Sequence, residues 1–379
     1  MTAPAQSIYP GAMSGSAASP TRERELLEAT RGGDEGAFRE LVEPYRSQLQ
    51  AHCYRMLGSV QDAEDATQEA LVRAWRGLPR FEGRSSLRSW LYRIATNTCL
   101  DAIGKRPKRV LPIDYGPPAD PHDGPGKPLV ESVWVEPYPD EVLALEDGYA
   151  EPEARYEQRE SVELAFIAAL QHLPATQRAA LILREVLGFS AREVAETLDT
   201  SVPAVNSSLQ RARKGIEEKL PERSQQSALR SIGDEEIREM VATYVDAWER
   251  GDADAIAAML AEDATITMPP MPTWYRGREA VLAFLTNWAF AKRWAPGRSR
   301  FESGQRRVRA IPARASGQLA FGTYSWRDEE EAYRPQALQV LTLDGARIAE
   351  IAGFVMPDVL PRFGLPERLE PLGTERTDP

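Results

Sequence analysis

The chain has 379 residues, of which 42% are hydrophobic, and its 46 Lys and Arg side chains are outnumbered by 57 Asp and Glu, giving a formal charge of -11. This length provides enough apolar material for two or three folded domains. The overall acidity argues against a nucleic-acid partner, but residues 110–160 alone carry 13 acidic and 3 basic side chains, a net charge of -10. The rest of the chain is therefore close to neutral, and a basic binding surface elsewhere is not excluded.

Cysteine and histidine usage excludes a disulfide scaffold and a zinc finger. The two cysteines, Cys53 and Cys99, fall in helical contexts, and no Cys/His spacing is typical of a metal site, so we expect neither a metal nor another cofactor. Residues 1–20 lack the basic start and long apolar core of a signal peptide. No run of about 18 apolar residues occurs. We therefore expect a cytoplasmic protein with no membrane partner.

Composition divides the chain into a series of zones. We predict a disordered tail at 1–21, a helical domain at 22–106, an acidic Pro-rich linker at 107–155, a second helical domain at 156–221, a mixed α+β domain at 231–365 and a tail at 366–379. The linker holds ten prolines, which remove amide donors and prevent a continuous helix or sheet. A solvated spacer is the usual fate of such a segment.

The first helical domain contains the run DAEDATQEALVRAW at residues 62–75. Its Ala, Leu and Trp residues recur at helical spacing, while Asp62, Asp65 and Glu69 share another face. An acidic helix face is usually only a solvated surface. It can also dock against a basic partner protein.

A basic segment follows at residues 84–109, with seven basic side chains and one acid, and with Trp90 and Tyr92 between them. Basic side chains neutralise phosphates, and aromatic faces accept unstacked bases, so this composition suits a separated DNA strand. In the alternative interpretation Trp90, Leu91 and Ile94 form a core and the Arg side chains extend into water. We favour the core for Leu91 and Ile94.

Together these two runs resemble the second domain of bacterial extracytoplasmic-function (group 4) sigma factors. In that family the acidic helix docks on the clamp helices of the RNA polymerase largest subunit, and the next segment opens and reads the −10 promoter element. The resemblance implies that polymerase is bound by Asp62, Asp65, Gln68 and Glu69. It implies a loop that captures a flipped base, and strand contacts, at Phe81, Arg84, Ser85, Ser86, Trp90, Arg93, Asn97 and Arg106.

Three helical patterns occupy residues 177–220. Ser190 and Glu193 form a capping box for the second, and the third has a stripe of apolar residues that includes Val202 and Val205. Two short helices joined by a tight turn suit a reader of the DNA major groove. Taken alone, this pattern also occurs in helical bundles that bind no DNA.

After a −10 domain and a Pro-rich linker, the same segment resembles the fourth domain of these sigma factors, which reads the −35 element and rests on the polymerase flap. Its small polar groups, followed by cations, lie on the face opposite the apolar stripe. The resemblance implies promoter contacts by Pro203, Ala204, Asn206, Ser207, Ser208, Arg211 and Lys214.

The last zone begins with helical patterns and continues with strand-like runs, including a hairpin turn at Asp344-Gly345, which predicts an α+β cone. It resembles SnoaL-like polyketide cyclase domains of the NTF2-like fold, which enclose a pocket. The candidate pocket residues are Tyr244, Trp248, Asp263, Trp274 and Trp288, although large apolar side chains at such spacing are more often core. We expect Asp263 at a helix end, where an aspartate is more often a structural cap. All three histidines lie upstream, which excludes a His-based mechanism here, and we predict no catalytic residue.

The whole arrangement resembles that of sigma factors of the sigma-G or sigma-J type, with two all-α sigma domains and an α+β cone. The resemblance implies that it binds core RNA polymerase and promoter DNA without being an enzyme, and that the last domain regulates it. An anti-sigma factor or a small-molecule ligand is a further candidate partner. Two alternatives remain: a transcription module fused to a working cyclase or isomerase, and an activator that binds duplex DNA without polymerase. In the family the linker passes through polymerase near the RNA path, where an acidic strand could imitate RNA.

Overall fold

The computed structural model describes residues 20–129, 134–143, 158–221, 223–291 and 307–371. They form two compact units. One takes the residues up to Arg109 together with Glu141–Glu222, and the other takes Val110–Asp140 together with the residues from Arg223 onward. The predicted tail before residue 20, the last eight residues and much of the linker after residue 143 lie outside the described residues.

The first unit is built from helices, as the periodicity predicts. They are α1 (Pro20–Arg31), α2 (Glu35–Leu57), α3 (Val60–Gly77), α4 (Leu87–Ile103), α5 (Leu164–His172), α6 (Ala175–Leu181), α7 (Ala191–Thr197) and α8 (Val202–Glu217). A 3-10 turn, Leu78–Arg80, follows α3, and a π turn, Ile182–Val186, follows α6. None of the helices in the described residues has the length and apolar run that crossing a bilayer requires.

Local sequence explains where these helices begin and end. The Asp34 carboxylate accepts hydrogen bonds from the backbone N–H groups of Gly36 and Ala37, which caps the start of α2. The helix ends at Gly58, whose φ of 70° is a left-handed conformation that glycine adopts without a Cβ penalty. Ser59 then caps α3 at once. The short connection directs α3 back along α2.

Helices α4 and α7, which belong to different predicted domains, contact each other within the first unit. The Ser89 hydroxyl donates to the Glu193 carboxylate at 2.9 Å. The Tyr92 and Phe189 rings meet edge to face at 5.3 Å, and the Arg88 guanidinium lies 4.3 Å from the Phe189 ring centre. Because these contacts combine a charge-assisted hydrogen bond with aromatic packing, they hold the two helical domains together. We call this contact the α4–α7 seam.

The second unit packs helices against one six-stranded sheet. The helices are α9 (Gln225–Ile232), α10 (Asp234–Arg250), α11 (Ala253–Met259) and α12 (Arg278–Phe284). The strands are β1 (Leu260–Thr267), β2 (Trp274–Arg276), β3 (Val308–Ala315), β4 (Gln318–Arg327), β5 (Ala332–Asp344) and β6 (Arg347–Phe354). Their order is β2-β1-β6-β5-β4-β3, and neighbours are antiparallel except for β1 and β6. The predicted α+β class is confirmed.

Two local expectations in this unit have different outcomes. The hairpin at Asp344-Gly345 is confirmed, because it joins β5 to β6 and Gly345 has a φ of 55°. Asp263 was expected at a helix end, and that is wrong: it is exposed in the middle of β1. The strand begins at Leu260, which pairs with Ile348 of β6.

Glu350 of β6 makes the stability of this unit depend on pH. Burial raises the pKa of its carboxyl to about 7, against the smaller effects of the Thr267 and Thr342 hydroxyls, which lower it. Because the folded state favours the protonated Glu350 carboxyl, this group contributes fully to the free energy of unfolding at pH values below its unfolded-state pKa. That contribution is lost as the pH rises through about 7. We expect Glu350→Gln to raise the thermal midpoint at pH 8 and to change it little at pH 5. Calorimetry checks this, and an equal change at both pH values would contradict it.

The described part of residues 110–140, called here the docked segment, packs on the second unit. Three tryptophan N–H groups make hydrogen bonds to backbone carbonyl oxygens between the segment and the C-terminal domain. These bonds run from Trp274 to Gly116 (2.8 Å), from Trp288 to Pro121 (2.9 Å) and from Trp134 to Pro270 (3.1 Å).

Main-chain hydrogen bonds strengthen this docking. The Ala119 N–H donates to the Trp274 carbonyl at 2.8 Å, and the Leu129 N–H donates to the Pro270 carbonyl at 3.0 Å. The solvated-spacer interpretation is therefore wrong for the described residues between 110 and 140. Composition suggested a spacer because prolines prevent regular secondary structure. A Pro-rich segment nevertheless keeps its backbone carbonyl oxygens, which can accept hydrogen bonds from another part of the protein.

Candidate nucleic-acid and polymerase interfaces

Helix α3 presents most of its predicted polymerase-binding residues on one outer face. Asp65, Gln68 and Glu69 are exposed, and Glu69 accepts a hydrogen bond from Arg73 at 2.8 Å. Val72 lies on the same face and is 41% exposed, which the sequence interpretation missed. Its spacing of three, four and seven residues from the polar residues is the signal that places it there. We call these four residues the α3 acidic face.

Asp62 has a different environment from the rest of the predicted set. It is 8% exposed, and its carboxylate forms ion pairs with Arg106 and with Arg109, the latter at 2.5 Å. Its place in the first turn of α3 also favours a negative charge. In this conformation Asp62 binds the basic segment to the start of α3 and does not present a free carboxylate.

Replacing Asp62 with Asn is expected to destabilise the first unit. The guanidinium of Arg109, which is 8% exposed, would lose this carboxylate, and breaking a buried ion pair costs about 3 kcal/mol. Denaturant unfolding of the full chain measures the loss. Asp65→Asn is the control, because Asp65 is exposed on the same helix. Equal stability of the two variants would show that the ion pair contributes nothing.

The loop predicted to capture a nucleobase of the −10 element is buried where it joins the helices and exposed at its tip. Phe81 is 8% exposed, and its ring packs on Trp90 with centroids 5.0 Å apart. Arg84 and Ser85 are exposed at the tip, whereas the Ser86 hydroxyl caps α4 by accepting from the Ser89 N–H. Phe81 and Ser86 thus support the loop, while Arg84, which pairs with Glu82 at 3.0 Å, and Ser85 are exposed at its tip.

Helix α4 continues this surface. Arg93 and Asn97 are exposed one turn apart, Trp90 is half-buried at the start of the same face, and Arg106 is exposed beyond the helix end. Arg106 also pairs with Asp62, so its charge is partly neutralised. Exposed cations beside a partly accessible indole can hold a phosphate backbone and stack a base.

The second predicted reader is the pair α7 and α8. The capping box is confirmed, since the Ser190 hydroxyl accepts from the Glu193 N–H and the Glu193 carboxylate accepts from the Ser190 N–H. The apolar stripe of α8 is buried from Val205 onward, but Val202 is 38% exposed. Val202 is the first residue of the helix.

The outer face of α8 carries the predicted promoter-facing set. Five residues are exposed and two are half-buried, the latter being Ala204 and Ser208. Arg213, next to this face, pairs with the buried Glu185 at 2.7 Å and is structural. The exposed residues are Pro203, Asn206, Ser207, Arg211 and Lys214.

The cone of the C-terminal unit encloses a cavity of about 80 Å³. Trp248 and Trp288, two of the five predicted pocket residues, line it. Tyr244 stands behind the lining and donates its hydroxyl to Gln339 at 2.9 Å. Asp263 and Trp274 are not among the lining residues, because Asp263 is exposed on β1 and the Trp274 indole bonds to the docked segment.

The cavity has the lining of a binding site. Its polar groups in the described residues are the Thr323 hydroxyl and the amides of Gln336 and Gln339, and the other lining residues are apolar. The described lining contains no carboxylate or imidazole to move a proton. Within the described residues, no group of three His, Cys, Asp or Glu could hold a metal ion. This lining suits an apolar compound with one or two hydrogen-bonding groups.

Three family descriptions match consecutive parts of the chain: sigma-70 region 2 at residues 41–109, sigma-70 region 4 at residues 163–215, and a SnoaL-like domain at residues 241–351. The ECF RNA polymerase sigma factor SigG of Mycobacterium tuberculosis is 40% identical over 334 residues, which cover 88% of this chain and 85% of SigG. The chain belongs to the extracytoplasmic-function sigma factor family. It therefore binds core RNA polymerase and directs promoter-specific transcription initiation.

Two further similarities cover different shares of the chain. The RNA polymerase sigma-H factor of Pseudomonas aeruginosa is 32% identical over 199 residues, covering 52% of this chain and 94% of that protein. The crystal structure of the M. tuberculosis extracytoplasmic function sigma factor SigJ aligns with a TM-score of 0.53 and 23% identity. That alignment covers 86% of this chain and 98% of SigJ, which shows a shared fold over nearly all of SigJ.

Proposed function

We propose that the sigma factor contacts polymerase through the α3 acidic face and contacts promoter DNA through the Arg84 loop, the outer face of α4 and the outer face of α8. The observation that supports this assignment is that these predicted residues are exposed on helices whose opposite faces are buried. In the same proposal the SnoaL-like domain regulates initiation and catalyses no reaction, since the cavity lining holds no described acid or base.

The α4–α7 seam is incompatible with simultaneous binding of both promoter elements. The −10 and −35 elements lie about 25 base pairs apart, which is roughly 85 Å at 3.4 Å per pair. A compact unit of this size has a radius of gyration of about 16 Å and a diameter of roughly 40 Å. We therefore propose that the seam opens when the protein binds polymerase and promoter.

Transcription with reconstituted polymerase tests the assignment. The full chain, added to core RNA polymerase and fragmented genomic DNA, should produce transcripts with defined starts that core polymerase alone does not produce. Charge-removing variants Arg211→Ala and Arg93→Ala should reduce those transcripts, whereas Arg192→Ala, on the exposed side of α7, should not. Equal transcription by all three variants would contradict the proposed DNA surfaces.

A cyclase or isomerase activity in the C-terminal domain is the competing function. It would require an acid or base at the cavity, and Asp263, the carboxylate among the predicted pocket residues, is exposed on β1 and does not line the cavity. Turnover of a polyketide-like substrate by the full chain, lost on Gln339→Ala, would favour the enzyme. We expect no turnover.

A further inference from the structure

Trp288 belongs to two features of the C-terminal unit at once. Its indole ring lines the cavity, and its N–H donates to the Pro121 carbonyl of the docked segment at 2.9 Å. Gly124 of the segment lies directly against the same ring, since a Cβ built there would be 2.6 Å from two of its carbon atoms. Gly124 also has a φ of +77°, a conformation that favours glycine. The position of this indole therefore determines how the segment docks.

The cavity is too small for a ring compound while Trp288 keeps this position. A cavity of about 150 Å³ holds benzene, and this one measures about 80 Å³. Several other walls are fixed by packing, since Ile266, Phe284 and Ile351 are 3%, 4% and 0% exposed, whereas Phe290 is half-buried. Trp288 is half-buried and lies on a single π turn, Leu285–Ala289. Displacing this indole would enlarge the cavity and would break its hydrogen bond to the docked segment.

We infer that the cavity takes an apolar ring compound by displacing the Trp288 indole, and that this displacement releases the docked segment. The ligand class follows from the lining, which offers apolar side chains and the Gln336 and Gln339 amides for one polar group. The inference rests on the proposed regulatory role of the SnoaL-like domain. Because coupling between two binding events is reciprocal, releasing the segment by another means must also strengthen ligand binding.

Release of the segment gives the sigma domains the reach that a promoter requires. The segment spans residues 110–140 and lies between α4 and α5 in sequence. While docked, the described residues of this segment are held on the C-terminal unit. Fully extended, 31 residues span roughly 100 Å at about 3.3 Å each, which exceeds the roughly 85 Å between the two promoter elements. A ligand that frees the segment would therefore favour the open form of the sigma domains.

Hydrogen exchange on the full chain tests the coupling with indole as the probe. The amides of Ala119 and Leu129 are protected by their hydrogen bonds in the docked segment, so peptides covering residues 116–129 report on its release. We expect saturating indole to accelerate their exchange about tenfold or more, with no change in β4. Calorimetry measures indole binding in parallel. Bound indole without faster exchange in these peptides would overturn the coupling.

Variants separate displacement from general loss of structure. Trp288→Ala should bind indole more tightly than the natural chain and should exchange rapidly at residues 116–129 without ligand. Trp326→Ala is the matched control, since that indole bonds to Asp328 and does not line the cavity. It should leave both measurements unchanged. Failure of indole to bind either the natural chain or Trp288→Ala would overturn the site.

Gly124→Ala tests the reciprocal direction from the segment side. The added methyl group meets the Trp288 ring and strains a left-handed residue, so the segment should undock without any change in the cavity lining. Indole affinity should then rise severalfold. Faster exchange at residues 116–129 with unchanged indole affinity would overturn the coupling. None of these measurements needs polymerase, so their failure is distinct from a failure of promoter-specific transcription.

Discussion

Covalently linking α4 to α7 across the seam is expected to abolish promoter-specific initiation. In the variant Ser89→Cys with Glu193→Cys, a short bismaleimide can join two side chains that are in hydrogen-bond contact in the natural chain. Because the linked unit cannot reach both promoter elements, we expect run-off transcription to fall about tenfold or more, with only the unlinked fraction active. The natural thiols do not interfere, since Cys53 and Cys99 are fully buried.

The single cysteine variants at positions 89 and 193 and the untreated double variant serve as controls for this experiment. Each single cysteine variant, treated with the same reagent, should retain transcription, because a modified side chain alone does not join the helices. The double variant without reagent should also be active, or more active, since it has lost the bond between Ser89 and Glu193. Full activity of the linked protein would show that both promoter elements can be read with the seam closed.

Local patterns were sufficient to predict helices α7 and α8. The buried stripe of α8 follows the helical period, and the capping box at Ser190 marks the start of α7. The helical period of apolar residues and the capping box depend only on residues close together in the sequence, so both can be recognised from the sequence alone. Val202 shows the limit, because it continues the stripe but lies at the first position of the helix and is 38% exposed.

Contacts between distant parts of the chain could not be predicted in this way. Asp62 and Asp65 belong to the same acidic pattern, yet Asp62 pairs with Arg106 and Arg109, more than 40 residues later. The basic residues at 84–109 indicated that some of them would pair with acidic side chains, but the sequence did not show which acidic residue would be the partner. In the same way, the prolines of the docked segment predict an irregular backbone. They do not indicate that the Trp288 N–H donates a hydrogen bond to the Pro121 carbonyl oxygen of this segment.

Reversing the charge of the α3 acidic face is expected to weaken the affinity for core polymerase most strongly of the surface changes considered. Asp65 and Glu69 are exposed, and the ion pair of Glu69 with Arg73 is itself solvent-accessible and contributes little to folding. Placing two lysines opposite a basic partner surface costs several kcal/mol, so we expect Asp65→Lys with Glu69→Lys to raise the Kd for core polymerase by about a hundredfold.

A second double variant, with its substitutions on α1 and α2, controls for the change in net charge. Glu28→Lys with Glu43→Lys alters the net charge of the chain by the same amount at two exposed acids away from the α3 face. It should leave the Kd close to the natural value, since long-range attraction is screened beyond about 8 Å at physiological ionic strength. If both double variants lose affinity equally, polymerase recognises the overall acidity. If only the α3 variant loses it, and Val72→Ala weakens binding as well, the docking surface combines charge with an exposed apolar contact.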